Sequence, residues 1–264
     1  MKVVVRHRSI DVGWGVVHAR EAGVGLGRTL VCVHQTPRSG DEFAELLDEL
    51  GGRRHVVALD LPGMGHSSPH PDGASIPAYA AAVASALDSL GRPVELLGHH
   101  TGAAVVAELA ATSPQLVDRL MLSSPPWLDA EQRAAREARP GPGVDEVTPA
   151  DDGAHLMALW RGRMSFYPDD RADLLERFVS DALLTADPHA GHRAVAQWVM
   201  EDALPGLGEL PVVLVDHVED PFAHPWITRW QEALPLATTI TVDGGMVPFE
   251  LTGRATARAI DTLG

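Results

Sequence analysis

Residues 96–109 read LLGHHTGAAVVAEL: a short apolar run, two glycines four positions apart enclosing two histidines and a threonine, then an alanine- and valine-rich amphipathic run. A strand that turns abruptly into a helix has this composition. Gly98 and Gly102 stand where any side chain would collide with the neighbouring strand and helix, so the turn tolerates only hydrogen there. The residue at its centre, His100, is then held out on a strained corner at a helix N-terminus. Five residues alone are a weak signal; the strand before them and the helix after them make it specific.

The flanking sequence repeats the same alternation. RTLVCVHQ (28–35), RHVVALDLPG (54–63) and DRLMLSSPP (118–126) are apolar strands. GDEFAELLDELGG (40–52) places Phe43, Leu46, Leu47 and Leu50 on one helical face and stops at Gly51–Gly52, and IPAYAAAVASALDSLG (76–91) is a second helix. VVVRHRSIDVGW (3–14) and GVVHAREAG (15–23) precede them as two short strands. Towards the end, PVVLVDHVEDPF (211–222) and ATTITVDGG (237–245) are strands separated by the helix HPWITRWQEAL (224–234), and TGRATARAIDTL (252–263) closes the chain. Such alternation builds βαβ units: an α/β fold with a mostly parallel twisted sheet flanked by helices. Ligands bind these sheets at the carboxyl ends of the strands. The loops HQTPRSG (34–40), DLPGMGHSS (60–68), GHHTG (98–102), SSPPW (123–127) and VEDPF (218–222) all fall there.

From 125 to 210 the pattern is helical without strand-like runs. A charged, Pro/Gly-rich stretch (131–153) leads into HLMALWRGRM (155–164), ADLLERFVSDALL (172–184) and HRAVAQWVMEDAL (192–204). This reads as a helical cap, 125–210, inserted into a core of residues 1–124 and 211–264.

Composition narrows the partners. A formal net charge of −15 without a basic stripe argues against nucleic acid. The single cysteine, Cys32, lies inside an apolar strand and permits no internal disulfide, which fits a reducing cytoplasm. The N-terminal apolar run is too short for a signal-peptide core, and no stretch reaches the roughly 20 apolar residues of a membrane span. A cytoplasmic monomer or homodimer acting on a small molecule is expected. The sequence has no nucleotide fingerprint, P-loop or HExxH spacing, so the expectation is no organic cofactor and no metal.

The order of elements, the elbow, HQTPRS after the third strand, LDLPGMGHSS after the fourth and EDPF near the end together resemble the α/β-hydrolase superfamily over essentially the whole chain. That resemblance implies a catalytic Ser, Cys or Asp at the elbow, an acid after a late strand and a His after the last strand. Here the elbow holds His100, the acid position holds Asp220, and the final position holds Met246 in DGGMVPFE. Two of three positions depart from the pattern. The resemblance also implies an oxyanion site from the backbone N–H groups of Thr101 and Gln35.

A neutral imidazole acts as base or donor near pH 7, and a helix N-terminus disfavours its protonated form. Imidazole is longer than a hydroxymethyl group, so His100 is expected to reach Asp220 directly, giving a His–Asp dyad without a separate nucleophile. Asp220 is alternatively the cap of the turn that follows it. Arg38 reads either as a binder of a carboxylate or phenolate or as a solvated loop residue, and His34 as lining the pocket or satisfying loop backbone. His99 is expected to pack behind the elbow, His66 and Ser67 to be structural, and His217 and His224 to flank Asp220 by chance. Trp160, Phe166, Tyr167 and Trp198 of the cap either line the pocket or pack its helices, and Met246 fills the space of the absent His.

Three functions follow. The first is a cofactor-free enzyme using the dyad for elimination, isomerisation, cyclisation or similar proton transfer on a small organic molecule. Family analogy and the Ala/Arg/Gly/Pro-rich usage place it in bacterial specialised metabolism. The second is hydrolysis of an ester, lactone or epoxide by His-activated water. The third is a non-catalytic binding protein that keeps the pocket.

Overall fold

A computed structural model of the chain describes residues 3–91, 93–138 and 148–262. Eight strands form one sheet in the spatial order β1-β2-β4-β3-β5-β6-β7-β8. They are β1 (Arg6–Asp11), β2 (Val16–Ala22), β3 (Leu30–Val33), β4 (Val56–Leu59), β5 (Val94–His99), β6 (Val117–Ser123), β7 (Val212–His217) and β8 (Thr238–Val242). β2 runs antiparallel to both its neighbours, and every pairing from β4 through β8 is parallel. Between the strands lie α1 (Ala44–Leu50), α2 (Ile76–Leu87) and α3 (Thr101–Thr112). Among the described residues, five helices separate β6 from β7: α4 (Ala130–Ala138), α5 (Ala154–Arg163), α6 (Ala172–Leu183), α7 (Ala190–Gln197) and α8 (Met200–Leu207). α9 (Ile227–Ala233), α10 (Pro248–Leu251) and α11 (Gly253–Asp261) complete the chain.

The period-2 alternation of strand side chains divides the interior in two. Val31, Val33, Leu59, Leu96 and Leu122 face one layer, where Tyr79 of α2, Val105 of α3 and Met200 of α8 cover them. Leu30, Cys32, Ala58, Leu97 and Met121 face the other, against Leu46 and Leu50 of α1, Phe249 of α10 and Ile260 of α11. Cys32 is therefore core packing, as its apolar run implies. Because the central strands are buried on both faces, their sequences are continuous apolar runs.

Among the described residues, 125–210 contains helices and no strand. The Pro/Gly-rich residues 139–147 lie outside the described residues. α5 and α6 share a separate apolar cluster of Leu159, Tyr167, Leu174, Leu175 and Phe178. α7 and α8 instead join the main core against α3, through Ala194, Met200 and Leu207. The run HRAVAQWVMEDAL, read as one helix, breaks at Trp198, whose backbone is extended and whose indole Nε1 donates to Glu108 Oε2 at 3.0 Å. Burying that indole with its N–H satisfied outweighs the continuation of the helix.

One buried cation ties the helical segment to the sheet domain. Arg38, in the loop after β3, donates from Nε to Asp181 of α6 at 2.9 Å and from its two terminal nitrogens to Glu250 of α10 at 2.7 and 2.9 Å. The Tyr167 hydroxyl donates to the same Glu250 carboxylate at 2.9 Å. Burial works against the guanidinium charge, yet the two carboxylates hold it protonated. A third buried carboxylate, Asp60, orders the loops around the start of the site. Its Oδ1 accepts from the Gly40 N–H at 2.7 Å, and its Oδ2 accepts from the His66 N–H at 2.9 Å and contacts His18 Nδ1 at 2.8 Å. Burial pushes its acidity the other way, but these donors prevail and keep Asp60 below the ordinary aspartate value.

Two outcomes are expected. Arg38→Met leaves two buried carboxylates without their cation and should lower the stability read from urea denaturation by about 3–5 kcal/mol; a loss under about 1 kcal/mol would contradict the clamp. Asp60 has its folded-state affinity for protons depressed, so its contribution is present above the unfolded value of about 4 and fades as pH falls below it. The stability gap between wild type and Asp60→Asn should therefore be widest at pH 6 and narrow below pH 4. A gap independent of pH would show that the carboxylate is not the source.

Candidate active site

The residues that carry chemistry converge because β3, β5, β6 and β7 are neighbours whose carboxyl ends open on one edge. At the end of β5 the chain turns in one residue: His100 has φ 46° and ψ −110°, and α3 begins at Thr101. A Cβ on Gly98 would lie 2.2 Å from the Gly102 carbonyl oxygen, and a Cβ on Gly102 would lie 2.0 Å from that of Val33. Both glycines are thus required by close backbone approach, as the sequence spacing implies. The corner is held by the His100 N–H donating to Ser123 at 3.1 Å and by the His100 carbonyl accepting from Ala103 at 2.9 Å. Ser124, just past the end of β6, is the other non-glycine residue with positive φ among the described residues, also 46°. Strain of this kind concentrates where side chains are presented to ligands.

His100 Nε2 lies 2.8 Å from Asp220 Oδ2, the imidazole side chain 13% exposed and the carboxylate fully enclosed. The carboxylate oxygen sits off the ring's N–H direction, so the two meet in close contact without an aligned hydrogen bond. The other oxygen, Oδ1, accepts from the N–H groups of Phe222 at 2.9 Å and Ala223 at 3.2 Å. Asp220 is therefore both the cap of its turn and the partner of His100. Burial favours its neutral form, but the His100 charge and those donors hold the carboxyl far below the usual aspartate range.

Behind this pair, His99 is buried with Nδ1 in a short contact to Glu42 Oε1, and its Nε2 has no partner. Glu42 also accepts from the Gln35 backbone N–H at 3.0 Å and from Gln35 Nε2 at 3.3 Å. Burial would raise the Glu42 pKa, but His99 and Arg38 bring it down to about 2. His217, at the end of β7, meets Ser123 Oγ through Nε2 at 3.0 Å, and burial pushes its pKa down to about 3. Glu42, Ser123 and His217 were not singled out by sequence reasoning as site residues. A signal existed for Glu42: it is four positions from Leu46 and eight from Leu50, an acid on the apolar face of its helical run.

Several expected ligand contacts are corrected. The Gln35 N–H cannot serve an oxyanion while it donates to Glu42, and its side-chain amide spans Glu42 and the Met246 carbonyl, 3.2 Å away. His34 is wholly buried, with Nε2 accepting from the Leu61 N–H at 2.9 Å and Nδ1 against the Gln35 carbonyl at 2.7 Å; it satisfies loop backbone. Arg38 and Tyr167 belong to the Glu250 clamp. Trp160 packs on the α5–α6 cluster and Trp198 on the main core. Met246 is half-buried in the loop after β8, the loop where the family resemblance places a His. Thr101 keeps its backbone N–H in the first turn of α3, one of the donors a helix leaves without an internal acceptor. His66, Ser67 and His224 are structural: His66 serves Asp60, Ser67 Oγ donates to the Asp60 carbonyl at 2.7 Å, and His224 pairs with Asp216 at 2.9 Å. Among the described residues, His99, His100 and Asp220 form a group that could hold a metal ion.

Strand order, elbow and an acid after β7 define the α/β-hydrolase architecture. A family model for the alpha/beta hydrolase fold matches residues 28–181, and the chain belongs to that family. It is similar to the dihydrolipoyllysine-residue acetyltransferase component of the acetoin cleaving system of Cupriavidus necator, 37% identical over 43% of this chain and 30% of that protein. It is also similar to a pimeloyl-[acyl-carrier protein] methyl ester esterase of Xylella fastidiosa, 30% identical over 39% of this chain and 38% of that protein. The chain thus spans little more than a third of these relatives at most. Among solved structures, the enol-lactonase from Burkholderia xenovorans LB400 superposes with a TM-score of 0.77 at 16% identity, covering 97% of this chain and 98% of that one. Among the described residues, no helix is long and apolar enough to cross a membrane.

Gly102→Ala should fail to accommodate its Cβ against the Val33 carbonyl. The expected result is a loss of about 3 kcal/mol or more in urea denaturation, or insoluble protein. Unchanged stability would mean that the elbow relaxes freely.

Proposed function

We propose that the protein is an α/β-hydrolase-fold enzyme that moves protons with a His100–Asp220 dyad and forms no acyl-enzyme intermediate. The observation that carries this reading is the 2.8 Å approach of His100 Nε2 to a buried carboxylate at the elbow. At this distance the carboxylate's charge favours the proton on Nε2 and steadies imidazolium as it forms. Nδ1 is then the nitrogen that takes a proton from a ligand and returns it at another atom. Elimination, isomerisation and cyclisation of a small carbonyl compound need only this. Acyl transfer needs a nucleophile at the corner and a pair of oxyanion donors. Here the corner holds imidazole, and one expected donor, the Gln35 N–H, is engaged by Glu42. Losing a single oxyanion donor typically removes about 10²–10³ in rate. A specialised metabolic role in a bacterium, a cytoplasmic setting and a cofactor-free reaction complete the proposal.

Hydrolysis by His100-activated water is the second reading, favoured by the esterase and lactonase named among the similar proteins. The Thr101 N–H is the donor that would meet the developing oxyanion in it.

The test is NMR-detected exchange of α-protons into deuterated water across a panel of small β-keto esters and cyclic ketones, run beside p-nitrophenyl ester turnover. His100→Ala should reduce exchange by about 10²–10⁴-fold, and Asp220→Asn should reduce it through the wrong tautomer while the fold survives. Heavy-oxygen water entering product identifies the hydrolytic reading. Stoichiometric labelling by a serine-directed phosphonate, with turnover retained in His100→Ala, would overturn both.

A further inference from the structure

The corner brings together more than the dyad requires. His99 Nε2, His100 Nε2 and Asp220 Oδ2 are all buried, and all three lack an aligned hydrogen-bond partner in the protein. One ligand atom from each of these residues lies within 4.8 Å of the others. Buried polar atoms are almost always paired. His99 Nε2 has no partner, and His100 Nε2 and Asp220 Oδ2 have only each other, 2.8 Å apart and unaligned, so the cluster marks a place where something else is expected to bind.

We propose that His99, His100 and Asp220 form a site for one divalent transition-metal ion of the zinc class. The donor set is two imidazole nitrogens and one carboxylate oxygen, which suits borderline cations and not the all-oxygen demand of magnesium or calcium. Zinc sits about 2.0–2.2 Å from such atoms, so tetrahedral ligands lie about 3.3–3.5 Å from each other. His100 Nε2 and Asp220 Oδ2, now 2.8 Å apart, need open by about half an ångström to admit the ion.

The surroundings have the form that metal-ligating groups require. A histidine ligand usually gives its other ring N–H to a carboxylate, which fixes the ring and raises its basicity. His99 does this through Nδ1 to Glu42, leaving Nε2 as the free nitrogen. Asp220 is fixed likewise, its Oδ1 held by the N–H groups of Phe222 and Ala223 while Oδ2 faces the histidines. His100, the one ligand in contact with solvent, leaves the fourth position to water or a small ligand.

The site uses the atoms of the proposed dyad but does not depend on catalysis. An ion on His100 Nε2 replaces the proton there and fixes the remaining one on Nδ1, which can then donate but not accept. Metal binding and base chemistry at His100 are thus alternative states, and an ion of this class should inhibit dyad turnover.

The experiment reads binding without turnover. Protein stripped with a chelator is titrated with Co²⁺, whose tetrahedral complexes absorb in the visible, and with Zn²⁺ by calorimetry. One equivalent should bind, and His99→Gln and Asp220→Asn should each weaken it at least about tenfold. His7→Gln serves as the control, because His7 and His18 form a separate histidine pair 3.1 Å apart on β1 and β2. Absence of saturable binding, or binding lost with His7 and kept in the other variants, overturns the proposal. Anomalous diffraction from Zn²⁺-soaked wild-type crystals decides independently of variant folding: density between His99, His100 and Asp220 supports the site, and zinc elsewhere or nowhere refutes it. Failure here leaves the proton-transfer reading intact, since that is read by α-proton exchange in metal-free protein.

Discussion

The carbonyl oxygen of Val33 stands 2.0 Å from where a Cβ on residue 102 would be, and the Gly102 carbonyl stands 2.2 Å from one on residue 98. This near-contact of β3, β5 and α3 is what forces the chain to reverse in a single residue. Everything at the site follows from it. With φ at 46°, His100 cannot fold back onto β5; its ring must project past the end of the sheet, towards the turn that follows β7. Asp220 is waiting there because two backbone N–H groups hold its other oxygen. The strain in one residue is therefore sustained by packed backbone on three elements, and the side-chain pairing costs little further ordering.

A second constraint sits directly beneath. Glu42 is a buried carboxylate with three partners, the Gln35 N–H, the Gln35 amide and His99, and it spans β3's loop and the elbow. It orients His99 and withdraws Gln35 from the ligand. The two effects are one arrangement: the acid that steadies the second histidine is the acid that takes an oxyanion donor away.

Much of this was legible in the sequence, and the part that was not shares one cause. The strands and helices follow from periodicity, because burial on two faces or one imposes it directly. The elbow follows from two glycines, and the His100–Asp220 contact from an imidazole's length. The role of Arg38 did not follow, because its partners Glu250 and Asp181 lie 212 and 143 positions away and only the packing of α6 and α10 brings them near. Tyr167 fell to the same clamp. His34 was left between two roles that only the position of the Leu61 N–H decides. Local rules report which face a residue occupies; they do not report what the facing element brings to it.

The paired departures from the hydrolase pattern are then one change. A serine at residue 100 with methionine at 246 would have a hydroxyl and no base. In the proposed dyad, histidine at 100 supplies the base from the elbow itself and reaches the acid that a loop histidine would have used, so no proton falls to Met246. Moving the imidazole also gives it a new neighbour. A loop histidine after β8 approaches the acid alone, whereas His100 follows His99 in the chain, their ring centroids 4.6 Å apart. The relocation behind the proposed dyad therefore also places two histidines and one carboxylate together, so that in both proposals His100 Nε2 is shared between a proton and a cation.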